Sequence, residues 1–169
     1  MRPPDSPEAI RLSLSRKSLA AARQRAALAA LLGVGTSDVL AVEHLAQAGR
    51  LTPSRLGRLL GLTSGGTTAL VQRLEREGFV AREPHPSDRR SALLRLTPEL
   101  ERRAGEVLEP LVRDIDALGA ALSEGERRAV ARFLAAVAEA AERHAEALVT
   151  RAMDERAPAV ALPAPGLFT

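Results

Sequence analysis

The apolar positions of this chain change their period at a few points, and those changes lay out its elements. Ile10, Leu14, Ala21, Leu28 and Leu32 recur at helical spacing, which predicts a long helix from Pro7 to about Leu32 with Ser6 as N-cap. A shorter helix over Thr36–Ala48, capped by Thr36 or Ser37, ends at Gly49, and Arg50-Leu51 reads as a brief extended link. Thr52 then caps a helix starting at Pro53, with Leu56, Leu59 and Leu60 on one face until Gly61. Thr63 or Ser64 caps the next, in which Leu70, Val71 and Leu74 repeat up to Gly78, a residue suited to a left-handed C-terminal position. There the period drops to two. FVAREP alternates, SALLRLT alternates less strictly, and PHPSDRRS between them is built of turn formers, so the pattern is a hairpin with a charged tip. From Pro98 the helical period returns: Leu100, Ala104, Val107, Leu108, Leu111, Ile115 and Leu118 share a face as far as about Ala121, and Pro110 within it predicts a kink. Ser123 and Glu126 have capping-box spacing and open a last helix through Val130, Phe133, Leu134, Val137, Ala141 and Leu148.

Two helices joined by a very tight turn and followed by a basic-tipped hairpin form a winged helix-turn-helix. In that arrangement the second helix enters a major groove and the wing reaches the flanking backbone or minor groove. The expected fold is mainly α with a small β-hairpin. It divides into an N-terminal arm and helix (1–32), the winged reader (36–97), C-terminal helices (98–150) and a tail (151–169) whose Pro and Ala content predicts disorder. The apolar stripes of the three flanking helices exceed what one small winged helix can cover, which points to a homodimer. Candidate interface residues are Ile10, Leu14, Leu111, Ile115, Phe133, Leu134, Val137 and Ala141. The alternative is that these helices fold on one another as a bundle within one chain.

The pattern L-T-S-x-x-T-T-x-L-V-x-R-L-E-R-E-G-F-V-x-R from Leu62, followed by P-S-D-R-R-S and L-x-L-T, resembles the MarR family of bacterial transcription regulators. The resemblance spans roughly Pro7 to Thr150. It implies a dimer made by the terminal helices and a wing arginine, Arg89 or Arg90, in the minor groove; Asp88, whose charge does not favour DNA, is expected to accept hydrogen bonds from the turn or to pair with a neighbouring Arg. In the family-like placement Ser64, Thr67, Thr68, Gln72 and Arg73 lie on or near the outward side of the reading helix, and Thr52, Gly65 and Gly66 are further candidate DNA contacts. Gly65 and Gly66 stand where other members carry larger residues, and an aliphatic residue is common at the position of Thr67, for which burial is the other reading. Gln72 has the donor and acceptor for adenine, whereas hydroxyls more often meet phosphates. Arg73 equally fits an ion pair with Glu77 at helical spacing.

Charge sharpens this picture. The chain carries a net charge of +3, yet Arg50–Arg95 holds nine Arg against four acids, so this stretch is +5 and the remainder −2. An Arg-rich, Ala-rich genome accounts for the 23 Arg against one Lys but not for the asymmetry, and a basic patch is the footprint of nucleic-acid binding. The absence of Cys removes disulfides and thiol switching. No enzyme is expected: there is no Cys nucleophile, no His-acid-Ser spacing and no metal spacing among His44, His85 and His144, so no cofactor or metal either. SGGTT lacks the Lys of a phosphate loop and reads instead as a helix start brought close to a DNA phosphate.

AALAALLGV falls far short of the ~20 residues of a membrane span, and the upstream acids Asp5 and Glu8 argue against an export signal, so no membrane contact is expected. These features describe a cytoplasmic, sequence-specific regulator on double-stranded, pseudo-palindromic DNA. The expected mode is repression relieved by a small-molecule effector in a pocket near His44. The rival readings are a helical protein-interaction module whose winged helix does not bind DNA, and a ligand-independent architectural DNA binder.

Overall fold

Local caps explain where the helices begin. The computed structural model describes residues 6–87 and 91–154. Ser6 Oγ accepts the Ala9 N–H at 3.1 Å and opens α1 (Pro7–Leu32). For α2 (Thr36–Ala48) the cap is Gly35, and neither Thr36 nor Ser37 serves. Asp38, in the first turn, reaches back so that its Oδ2 accepts the Gly35 N–H at 2.9 Å, the acidic half of a capping box without its hydroxyl half. Thr52 Oγ1 accepts from Arg55 N at the start of α3 (Pro53–Leu59), and Thr63 Oγ1 accepts from Gly66 N at the start of α4 (Ser64–Arg76). Of the two caps available to α4, Thr63 is the one used. At its far end Gly78 adopts φ 69°, with Phe79 N bonded to Leu74 O and Gly78 N to Glu75 O. This is a Schellman closure, and it turns the chain directly into the first strand.

β1 (Val80–Pro84) pairs antiparallel with β2 (Ala92–Leu96) in the register Val80↔Leu96 to Pro84↔Ala92. Leu51 adds a one-residue third strand, exchanging both backbone hydrogen bonds with Leu94 at 3.1 and 2.7 Å. The extended link read at Arg50-Leu51 is thus a sheet edge. Thr97 ties the hairpin to α5 (Pro98–Ala120): its hydroxyl donates to Gly78 O at 2.7 Å and accepts from Leu100 N in the first turn of that helix. α6 runs over Glu124–Asp154, extending past the expected end of the helix. The disorder expected for the rest of the tail concerns residues outside those described.

The chain forms two units, Met1–Leu108 and Glu109–Thr169, divided inside α5 two residues before Pro110. α5 is nevertheless one helix through that proline. The core of the first unit gathers Ala41 and Leu45 of α2, Leu56 of α3, and Leu70, Val71 and Leu74 of α4. Val80 of β1, Leu94 and Leu96 of β2, and Leu100 of α5 complete it. Each fully buried leucine contributes about 1.5–3 kcal/mol by leaving water, and α2, α3, α4 and β2 each supply at least one. The helix-turn-helix is therefore held as a rigid piece.

The second unit presents the opposite picture. Among its described residues none is buried: Leu111, Ile115, Phe133 and Leu134 are exposed, Val137 is half-buried and Ala141 is exposed. Among the described residues of this unit, nothing covers the apolar face of α6. The predicted capping box is present, with Ser123 N donating to Glu126 Oε2 at 2.8 Å and Glu126 N to Ser123 Oγ at 3.3 Å. Hydrogen bonds from the Ser123 hydroxyl, then from its backbone N–H, hold the Glu126 carboxyl below its ordinary value. A folded pKa below the unfolded one means that this support for α6 is present above the unfolded value and is lost as pH falls through the folded one. In an NMR titration, the Glu126 carboxyl midpoint should rise in Ser123→Ala; an unmoved midpoint would exclude the cap as its cause.

Candidate nucleic-acid interface

The site begins with the approach of two helices. Gly57 of α3 is buried, and a Cβ built on it would lie 2.2 Å from Thr67 Oγ1, 3.1 Å from its Cγ2 and 3.2 Å from its Cβ. Only a glycine lets α4 cross α3 this closely. Thr67 is correspondingly 7% exposed, with its hydroxyl donating to Thr63 O at 2.9 Å. It faces the other helix and leaves the set of DNA-facing residues in which it was expected.

With Thr67, Leu70, Val71 and Leu74 turned inward, the outward face of α4 is fixed by helical geometry. Ser64, Gly65, Thr68, Gln72 and Arg76 are exposed along it, the last three at successive four-residue steps. The Thr68 hydroxyl donates to Ser64 O at 3.0 Å and keeps its lone pairs outward. Nothing lies within 4 Å of a Cβ position at Gly65, so another chain has room to approach the helix start there. Gly66 is half-buried, and its N–H is taken by the Thr63 cap. Thr52, at the start of α3, is half-buried and contacts Ser54 Oγ at 3.2 Å.

The arginines of the reader separate into two groups. Arg50 pairs with Glu83 at 3.4 Å, Arg82 with Glu75 at 2.7 Å, and Arg95 also with Glu83. Arg73 pairs with Asp38 and not with Glu77: Nε reaches both carboxylate oxygens at 3.0 Å and Nη2 reaches Oδ1 at 2.6 Å. Those hydrogen bonds, then the charge of Asp38, hold Arg73 in its ionised form more firmly than a free guanidinium against the opposing effect of burial. Arg55, Arg58 and Arg76 are exposed and have no acidic partner among the described residues. The sequence reading omitted these three; the four-residue step from Thr68 through Gln72 to Arg76 was the signal available for the last. The wing residues Asp88, Arg89 and Arg90 lie outside the described residues. His44 is half-buried on α2, away from the α4 stripe in sequence and without a described hydrogen-bond partner.

Among the described residues no group of three His, Cys, Asp or Glu side chains is placed to hold a metal, and no single helix is long and apolar enough to cross a membrane. What the site offers is a helix with one polar face and guanidinium groups beside it that have no acidic partner among the described residues. That is the chemistry of base edges and phosphates.

Comparison with known proteins agrees. The MarR family profile matches residues 32–91. The uncharacterised HTH-type transcriptional regulator YcgE of Bacillus subtilis (strain 168) is 33% identical over 122 residues, covering 72% of this chain and 79% of its own length. Two solved structures share the fold, each at 23% identity. The transcriptional regulator Tm0710 from Thermotoga maritima has a TM-score of 0.57 over 81% of this chain and 96% of its own. NadR in complex with 4-hydroxyphenylacetate has a TM-score of 0.54 over 82% and 96%. With a winged helix-turn-helix in place, a matching family profile and a relative one-third identical over most of both chains, this protein belongs to the MarR family of transcription regulators.

Proposed function

We propose that the protein is a cytoplasmic homodimer that binds a pseudo-palindromic duplex and represses transcription until a small organic effector releases it. The observation that carries DNA reading is the exposed stripe of Ser64, Thr68, Gln72 and Arg76 on α4, flanked by the unpaired Arg55 and Arg58 of α3. Gln72 offers the bidentate pair for adenine, Ser64 offers a hydroxyl to phosphate, Thr68 offers its outward lone pairs to a base N–H, and the three arginines neutralise backbone charge. Either wing arginine, Arg89 or Arg90, adds a minor-groove contact on the strength of the family likeness. Effector release is supported by NadR, solved with a small aromatic acid bound. His44 of α2 is the residue assigned to the effector pocket in this reading.

The deciding experiment is a mobility shift on the protein's own upstream DNA, with and without a panel of small aromatic acids. A shifted band that one of these acids abolishes is the expected result. Salt-insensitive capture of a protein partner with no DNA shift would replace this reading with the interaction-module one, and a shift that no effector alters would leave an architectural binder. Within the complex, Gln72→Ala should relax preference at one base pair by about 1–3 kcal/mol without changing the salt dependence. Arg76→Ala should instead weaken all sequences alike and make the slope of log affinity against log salt shallower by about 1. Competition against single-base variants of the site, repeated across salt concentrations, separates the two effects.

A further inference from the structure

Arg73 of α4 and Asp38 of α2 are 35 residues apart in sequence and join two helices whose side chains share one core. Asp38 is 1% exposed, and both of its oxygens are occupied from two directions. Arg73 Nε donates to Oδ1 and Oδ2, Arg73 Nη2 donates to Oδ1, and Oδ2 also accepts the Gly35 N–H that closes the start of α2. A guanidinium fork held on both oxygens fixes orientation as well as distance, so the contact resists rotation of one helix against the other. The partners are unequally confined. The carboxylate is sealed in, whereas the Arg73 side chain is 39% exposed and free to swing outward if its anchor loses its charge.

We propose that Asp38 is a positioning residue for DNA recognition. It sets the rotation of α4 and therefore the aim of Thr68, Gln72 and Arg76, and it withholds Arg73 from the phosphates. The proposal rests on the DNA-binding function proposed above. Without the carboxylate charge, Arg73 becomes a mobile cation beside the reading stripe. Such a cation neutralises phosphates whatever the sequence, while the misaligned stripe reads bases less well.

The test uses the full-length protein, a duplex selected by the wild type from a random library, and poly(dI-dC) as the non-specific duplex. Asp38→Asn keeps the side-chain shape and an oxygen for the Gly35 N–H. Its ratio of selected to non-specific affinity should fall about tenfold, the worth of one aligned base contact, while its salt slope steepens by about 1. The double variant Asp38→Asn/Arg73→Met leaves no buried charge unpaired. It should keep the loss of discrimination and return the slope to the wild-type value.

A double variant with a slope shallower than wild type by about 1 would show Arg73 to be a phosphate contact already, and would overturn the proposal. So would an unchanged affinity ratio in Asp38→Asn, including the case in which both affinities drop in step with the folded fraction measured by circular dichroism. If Asp38→Asn does not fold, Arg73→Lys retains the charge without the fork and should show the same loss of discrimination; an unchanged ratio there overturns the proposal equally. Failure of the wild type to select any duplex is a separate outcome, which refutes the DNA-binding reading and this proposal with it.

Discussion

Gly57→Ala should destabilise the first unit by about 2 kcal/mol, within the range for overpacking a tight core, and reduce DNA affinity at least tenfold. Helix propensity alone predicts the opposite sign, since alanine inside a helix gains up to about 1 kcal/mol over glycine. The contact decides. The new methyl would stand 2.2 Å from Thr67 Oγ1, and rotating that side chain does not solve the problem, because Cγ2 and Cβ already lie at 3.1 and 3.2 Å. The helices must move apart, and the stripe on α4 moves with them. Thr67→Ala removes two of the three offending atoms, so the double variant Gly57→Ala/Thr67→Ala should recover much of the lost stability. Thermal unfolding of the four proteins forms a double-mutant cycle with a large coupling term. Strict additivity would show that the close crossing of α3 and α4 is not what constrains Gly57.

The second large effect concerns assembly. Phe133 and Leu134 of α6 are 43% and 50% exposed, and Leu111 and Ile115 of α5 are exposed as well. A second copy of the same surface is the self-complementary cover that a two-fold dimer supplies. Leu134→Asp with Val137→Asp should convert the proposed dimer to monomer, since each carboxylate would be buried there without a partner. Operator affinity should then fall by about 100-fold or more, because two linked readers bind as one and separated ones do not. Sedimentation velocity and DNA titration read the two effects, and circular dichroism checks that the helices persist. A wild-type protein that sediments as a monomer at micromolar concentration would remove the basis of this prediction.

Sequence by itself determined every element whose cause is local. Ser6, Thr52 and Ser123 start helices because a hydroxyl reaches an N–H three residues on, and Gly78 ends one because its φ of 69° carries little strain without a side chain. Such bonds lie within a few residues, and a linear reading captures them. The winged helix was legible for the same reason, being five local patterns in order. Where two local solutions competed, the sequence could not choose: α2 is capped at Gly35 through the Asp38 carboxylate, not by the hydroxyl of Thr36 or Ser37.

Tertiary structure alone decided the partners. Thr67 is drawn inward because Gly57, on another helix, leaves space for it. Arg73 takes Asp38, 35 residues away, over the neighbouring Glu77, because a buried carboxylate offers two fixed acceptors in a site that water cannot fill. Arg76 stays on the outward face, without an acidic partner among the described residues, because Leu70, Val71 and Leu74 turn the opposite face of α4 into the core. A charge read along the chain has only neighbours as candidates, whereas a folded one has whatever the packing of apolar faces brings near, and that packing assigns each arginine its carboxylate or leaves it free for DNA.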